Sequence, residues 1–404
     1  VGEAIVAVAS ERPALVVVAP LAPAPTGNGL AMRVHALVDA ALEDHDVHLV
    51  VSPSHRPGGV IEDALAARLA SHQVLEPARW SRRPVVRARA TATWRLGAGG
   101  RSSLPGAAAL APPQLAGEVV LDGPPPRAVL ACRLALGPLG VALAERLGAP
   151  LVLDADDDDE ALLRSLGDPE AAAYGRLAAA CLPMAQLVFA AGSPDADSLT
   201  RRHHLDPPVA VVPNVTPLPH DELQPPPGEG RVLLVGSLTY APNVDGARWL
   251  VDEVLPLLPD HLQLHLVGAH DARVAELAGT RVVVHGWVPQ VDEHYRAADV
   301  AVVPLRHGAG TRTKALEAFA HRRAVVSTTA GVSGLEVVAD RHVRIGDDPE
   351  AFAAQVAAAA DAARSAHPDP LVHEAEVLAT TTYHPDTVRG QTAARLRAVD
   401  ELSA

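Results

Sequence analysis

Short apolar runs alternate along the chain with stretches whose apolar residues recur at helical spacing. Ala14–Ala19 (ALVVVA) reads as a buried strand, a loop runs from Pro20 to Gly29, and Leu30, Val34, Leu37, Val38 and Leu42 then repeat as on one helix face. Val47–Val51 is the next strand, and Ala128–Cys132, Leu151–Leu153, Leu187–Ala190 and Val209–Val212 continue the series. Turn signals such as Leu147-Gly148-Ala149-Pro150 close the helices between them. The alternation stops at Pro213–Gly230, which holds six prolines without apolar periodicity and predicts a linker. It then restarts. Arg231–Val235, His261–Val267, Val282–Val284, Val300–Val303 and Ala324–Ser327 read as strands, and Asn243–Leu258 and Thr311–His321 as helices. Ala-rich helical stretches follow around Pro349–Ser365 and Pro385–Leu402. The pattern predicts two α/β domains, each a doubly wound parallel sheet, with the cleft between them as the ligand site.

Composition narrows the function. The 404 residues carry 34 Lys+Arg against 48 Asp+Glu, a net charge of −14, which argues against general nucleic-acid binding. The two cysteines, Cys132 and Cys181, cannot build a disulfide framework, so a reducing, cytoplasmic setting is expected. The start Val1-Gly2-Glu3 lacks the basic beginning of a signal peptide, and no apolar run is long enough for a transmembrane segment. Against the acidic background, Arg79–Arg101 holds seven arginines, no acid, and Trp80 and Trp94. It reads as a solvated insertion, or as a segment for contact with an acceptor or a membrane surface.

The chemistry concentrates in Pro304–Ala320. Gly308 and Gly310 let backbone approach a ligand, and the helix that follows offers free N–H groups to a diphosphate. Arg312 and Lys314 add full positive charge where a leaving phosphate becomes more negative. Glu317, flanked by Leu316, Ala318 and Phe319, can accept hydrogen bonds from vicinal hydroxyls such as those of a ribose. The competing reading is an ordinary amphipathic helix with a solvated glutamate. It is weakened by the apolar neighbours, among which an unpaired charge is costly.

Three segments occur here in the order found in family-four glycosyltransferases of GT-B fold: Gly286-Trp287-Val288-Pro289, Tyr295-Arg296-Ala297-Ala298-Asp299-Val300, and Gly310–Ala320 (GTRTKALEAFA) followed by Ala324–Thr329. The stretch Tyr240–Gly246 and the glycine-rich Pro25–Arg33 are similar to two further segments of that family. The resemblance implies an N-terminal acceptor-binding domain, 1–213, and a nucleotide-sugar donor domain, 214–383, with a terminal helix from about 384 to 404 packed back on the first. It implies transfer of a sugar from a nucleotide-sugar to an acceptor hydroxyl with retention of configuration, on a small natural product, a glycan or a lipid-linked sugar. Arg312, Lys314 and Glu317 would be catalytic. Asn28, Gly29, Ser237, Asn243, Trp287, Val288, Gly310, Thr311 and Thr313 would hold the donor. Arg33, Asp154 and Asp156 would meet the acceptor. No metal or other cofactor is expected.

The chain departs from the family at two points. The family often has two glutamates eight positions apart; Glu317 matches the second, but Ala309 stands at the first. Its cation after the first donor-domain strand is also missing from Gly236-Ser237-Leu238-Thr239-Tyr240, and Arg312 and Lys314 are expected to supply that charge. A nucleotide-sugar epimerase and a non-catalytic GT-B partner protein therefore remain alternatives.

Other motifs are weaker. Gly27–Met32 opens like a dinucleotide fingerprint, but Met32 stands at its third glycine and no acid ends the following strand. The acidic run Asp154–Glu160 has the chemistry of a divalent cation site, but the donor signature lies far away in the second domain, so the run reads as caps for the next helix or as acceptor contacts through Asp154 and Asp156. No histidine has a cysteine at zinc spacing, and no GxSxG elbow is present.

Overall fold

The structure is a computed structural model that describes residues 12–27, 29–53, 59–76, 88, 92, 104–220, 222–307, 313–365 and 369–402. Among them lie two sheets. The first contains β1 (Ala14–Ala19), β2 (Asp46–Val51), β3 (Ser71–Val74), β4 (Ala128–Cys132), β5 (Leu151–Asp156), β6 (Leu187–Ala190) and β7 (Ala210–Val211). The second contains β8 (Arg231–Val235), β9 (Gln263–Val267), β10 (Val282–Gly286), β11 (Val300–Val303), β12 (Ala324–Ser327) and β13 (Arg344–Ile345). Their orders are β3-β2-β1-β4-β5-β6-β7 and β10-β9-β8-β11-β12-β13, and every pairing is parallel.

Parallel strands covered on both faces must be apolar throughout. Accordingly every residue of β1, β4 and β11 is buried. Aromatics make up only 3% of the chain, so Val, Leu and Ala fill most of both cores. Both sheets reverse their winding direction once, between β1 and β4 and between β8 and β11. Ligands of doubly wound sheets bind beyond the strand C-termini at such a reversal. The loops after β1, β4, β8 and β11 are therefore the ones that matter.

Three helices differ from the sequence reading, as do two short strands. The helix from Ala241 ends at Trp249 and continues as a π turn, Leu250–Val254, and a 3₁₀ turn, Leu255–Leu257. Pro256, which has no N–H to give, sits in that last turn. The helix after β11 spans Thr313–Ala320. A helix at Pro370–Thr381, capped by Asp369, was not anticipated. The edge strands β3 and β13 were also missed: β3 (SHQV) alternates exposure instead of forming an apolar run, and β13 is two residues long.

The linker is pinned at both ends. At its start, the Arg33 guanidinium donates to the carbonyl of Val212 at 3.0 Å and to Asn214 Oδ1 at 3.2 Å. At its end, the Asp299 carboxylate accepts from the backbone N–H groups of Gly228 (2.6 Å), Gly230 and Arg231 (3.1 Å). Arg323, almost wholly buried, donates to the carbonyls of Gln224 and Tyr295. The helix Pro385–Leu402 returns to the first sheet, where Val388, Leu396 and Val399 enter its core and Asp400 meets His45 at 2.8 Å.

Candidate functional site

Beyond the C-terminal ends of β8 and β9 the backbone turns through two glycines with positive φ, Gly236 (+152°) and Gly268 (+142°). They are needed for space as well as conformation, because a Cβ on Gly268 would lie 1.8 Å from the Gly236 carbonyl oxygen. The two turns thus form a close-packed floor. Above it, Asn243 at the start of the next helix donates from Nδ2 to the Ser237 carbonyl at 2.8 Å. Its Oδ1 accepts from Lys314 Nζ at 2.5 Å. A Cβ on Gly236 would come within 3.2 Å of the same Nζ. The Lys314 ammonium, carried by the helix after β11, therefore stands over the turn after β8, where the sequence has no cation of its own. Ser237 and Thr239 join hydroxyls at 3.0 Å beside it.

Lys314 and Glu317 are three residues apart on one helix and so share a face. The partly exposed Glu317 carboxylate accepts the Tyr295 hydroxyl on Oε2 at 3.0 Å. Burial pushes its pKa up to about 7, opposed by the Tyr295 hydrogen bond, while Asp292 raises it and Lys314 lowers it. The Tyr295 ring stacks on His321 with 4.5 Å between centroids. His321 Nδ1 meets the Glu317 carbonyl at 2.7 Å and Nε2 meets Asp292 Oδ1 at 3.3 Å. That same Asp292 oxygen accepts the His220 backbone N–H from the linker at 2.9 Å. Tyr295 and Asp292 were not singled out in the sequence as site residues, nor was His321. The spacing of Glu317 and His321, four apart on a helix, was the available signal.

Of the expected donor contacts, Ser237 and Asn243 come together with the expected catalytic Lys314 on one wall, and Thr313 and Glu317 lie on the same helix as Lys314. Trp287 and Val288 follow β10; Trp287 is 72% exposed, and Val288 packs against the core beneath. Gly29 opens the helix Gly29–Ala41 after the β1 loop. Asn28, Gly310, Thr311 and Arg312 lie outside the described residues, as does Arg79–Arg101 except for positions 88 and 92.

The three expected acceptor contacts lie together in the first domain. Arg33, Asp154 and Asp156 are 3%, 1% and 2% exposed and face one another. Arg33 Nε and Nη2 approach Asp154 at 2.9 and 2.5 Å, and Nε lies 3.2 Å from Asp156. Both acids lie in β5 and are buried against Arg33. Arg133 closes the other side, at 2.7 Å from both Asp156 and Asp159. Burial raises Asp157 to about 8 and Asp159 to about 6, with Arg133 opposing in each case. Asp158 caps the helix Asp159–Ser165 through the Ala161 N–H and also holds Ser198 and Arg202. Among the described residues, no group of three His, Cys, Asp or Glu is placed to hold a metal ion. No described helix is long and apolar enough to cross a membrane.

Residues 229–361 match the family model described as glycosyl transferases group 1. That stretch carries Gly236, Asn243, Tyr295, Lys314 and Glu317. No curated protein sequence gives a significant match. Solved structures do. Anabaena HepE, in complex with UDP and glucose, is similar at 15% identity over 96% of this chain and 100% of that one, with a TM-score of 0.65. Sucrose-phosphate synthase from Thermosynechococcus elongatus is similar at 16% identity over 97% and 100%, with a TM-score of 0.69. A UDP-forming α,α-trehalose-phosphate synthase from Burkholderia vietnamiensis is similar at 15% identity over 98% and 99%, with a TM-score of 0.64. The shared feature is the fold, the two-domain GT-B arrangement expected from the sequence.

Proposed function

We propose that the chain is a glycosyltransferase that moves a sugar from a nucleotide-sugar to an acceptor hydroxyl with retention of configuration. The observation that carries this reading is the placement of Lys314 Nζ over the Gly236 turn, fixed by Asn243, with Glu317 one helical turn away. An ammonium there meets a diphosphate, and a carboxylate at that distance along the helix meets a ribose. The family match on the same residues and the likeness to HepE, whose structure holds UDP and glucose, support it.

Lys314, with Arg312, would stabilise the diphosphate as it departs. The acceptor oxygen bonds to the anomeric carbon from the face that the diphosphate leaves. The sugar–phosphate bond breaks with its electron pair on the diphosphate oxygen, which takes the acceptor proton. The protein's share is then alignment and charge stabilisation, without a side-chain base.

Calorimetry against UDP, GDP, dTDP and ADP and their sugars, with and without EDTA, tests the donor site. One nucleotide class should bind, indifferent to EDTA. Slow donor hydrolysis, with water as acceptor, should release the sugar first in the anomeric form it had in the donor. Binding by no nucleotide overturns the reading; release of the opposite anomer overturns retention.

A further inference from the structure

We propose that Tyr295 is the positioning residue of Glu317, fixing the orientation of its carboxylate and keeping it ionised for a nucleotide's ribose. This rests on the reading of Glu317 as the ribose carboxylate.

Tyr295 is 1% exposed, in the core between its own helix, Asp292–Arg296, and the helix Thr313–Ala320. A buried phenol needs a partner for its hydroxyl. The strongest partner available is Glu317 Oε2 at 3.0 Å; the Lys314 carbonyl, at 3.4 Å, is a poor second. The ring has no freedom to turn away, because His321 stacks on it and is itself held by the Glu317 carbonyl and Asp292. One carboxylate oxygen is thus committed to the protein interior and the other is left for a ligand.

The bond also acts on protonation. A phenol donating to a carboxylate favours the charged form, against the burial that favours the neutral one. Among the described residues, the titratable groups acting on the Glu317 carboxyl are Tyr295 and Asp292 from the neighbouring helix and Lys314 from its own. Burial lowers the His321 pKa below its ordinary value. On the third packed helix, Pro370–Thr381, Glu374 and Glu376 are taken up by Arg341 and Arg322. Without the phenol, Glu317 holds its proton to higher pH. A carboxyl titrating near 7 is half ionised at that pH; moved up by about one pH unit it is about one-eleventh ionised, a roughly fivefold loss of the binding form.

The test is a double-mutant cycle of Y295F and E317Q, read in two ways. Without ligand, the melting temperature of each Glu317 form is compared with its E317Q counterpart across pH 5–9. Their difference grows from about pH 4.5 and levels off at the folded-state pKa of Glu317, and that upper limit should move up by about one pH unit when Tyr295 is replaced by Phe. With the nucleoside diphosphate that binds the wild type best, Y295F should bind about fivefold more weakly at pH 7. That deficit should shrink towards pH 9 and vanish in the E317Q background. An unmoved upper limit overturns the proposal, as does a deficit equal at every pH or persisting with E317Q. If the wild type binds no nucleotide the functional reading fails, while the ligand-free upper limit still decides whether Tyr295 governs Glu317.

Discussion

Glu317→Gln is expected to make the free protein more stable while impairing its function. The Glu317 carboxyl rises from an ordinary 4.5 to about 7 because it is buried. At about 1.36 kcal/mol per pH unit this costs the ionised form at most about 3.4 kcal/mol. Glu317 keeps some contact with water, so a third to a half of that ceiling, about 1–2 kcal/mol, is expected. The sign follows from linkage. The folded state holds its proton more tightly than the unfolded chain, so stability is lost as pH rises from about 4.5 through about 7. Gln keeps the acceptor oxygen for Tyr295 and never ionises. The variant should therefore melt at the wild-type temperature at pH 4.5 or below and roughly 3–6 °C higher above pH 8. Its affinity for a nucleoside diphosphate should fall about tenfold or more, because hydrogen bonds to a charged acceptor become bonds to a neutral one. Differential scanning calorimetry across pH, with calorimetric titration of the nucleotide, reads both effects. A pH-independent difference in melting, or a Gln variant less stable at pH 8, would refute the reasoning.

Other residues give independent tests. Lys314→Ala should leave the fold intact and lower kcat/KM on a donor by about 10²–10³, and Asn243→Ala, which frees the ammonium from its anchor, by about tenfold; steady-state kinetics reads both. Gly268→Ala would press a Cβ to 1.8 Å from the Gly236 carbonyl oxygen, so it should destabilise the second domain by about 3 kcal/mol or more in urea unfolding. Arg33→Ala strands Asp154 in the first core and should cost about 3–5 kcal/mol at pH 8, with a smaller loss near pH 5 as Asp154, whose pKa burial raises, takes up a proton.

The fold was legible because parallel strands buried on both faces leave continuous apolar runs. Val300–Val303 and Ala128–Cys132 could be read to the residue. Edge strand β3 could not: half its residues face outward, and His48 Nδ1 and Ser71 Oγ join across the pair at 2.7 Å instead of presenting an apolar signal. Lys314 and Glu317 were legible because glycines, cations and an acid crowd one strand-to-helix passage. The acidic run was legible only in part. The cap by Asp158 follows from local spacing, but the pairing of Asp154 with Arg33 joins residues 121 apart and depends on which strands are neighbours. Tyr295 was hidden for the same reason, since its contact with Glu317 spans 22 residues and two helices.

The most direct test of the central claim is a crystal structure of the protein with the nucleoside diphosphate it binds best. The diphosphate is expected within hydrogen-bond distance of Lys314 Nζ above the Gly236 turn, and both ribose hydroxyls on the Glu317 carboxylate. A nucleotide bound elsewhere, or one in this crevice whose ribose points away from Glu317, would contradict it.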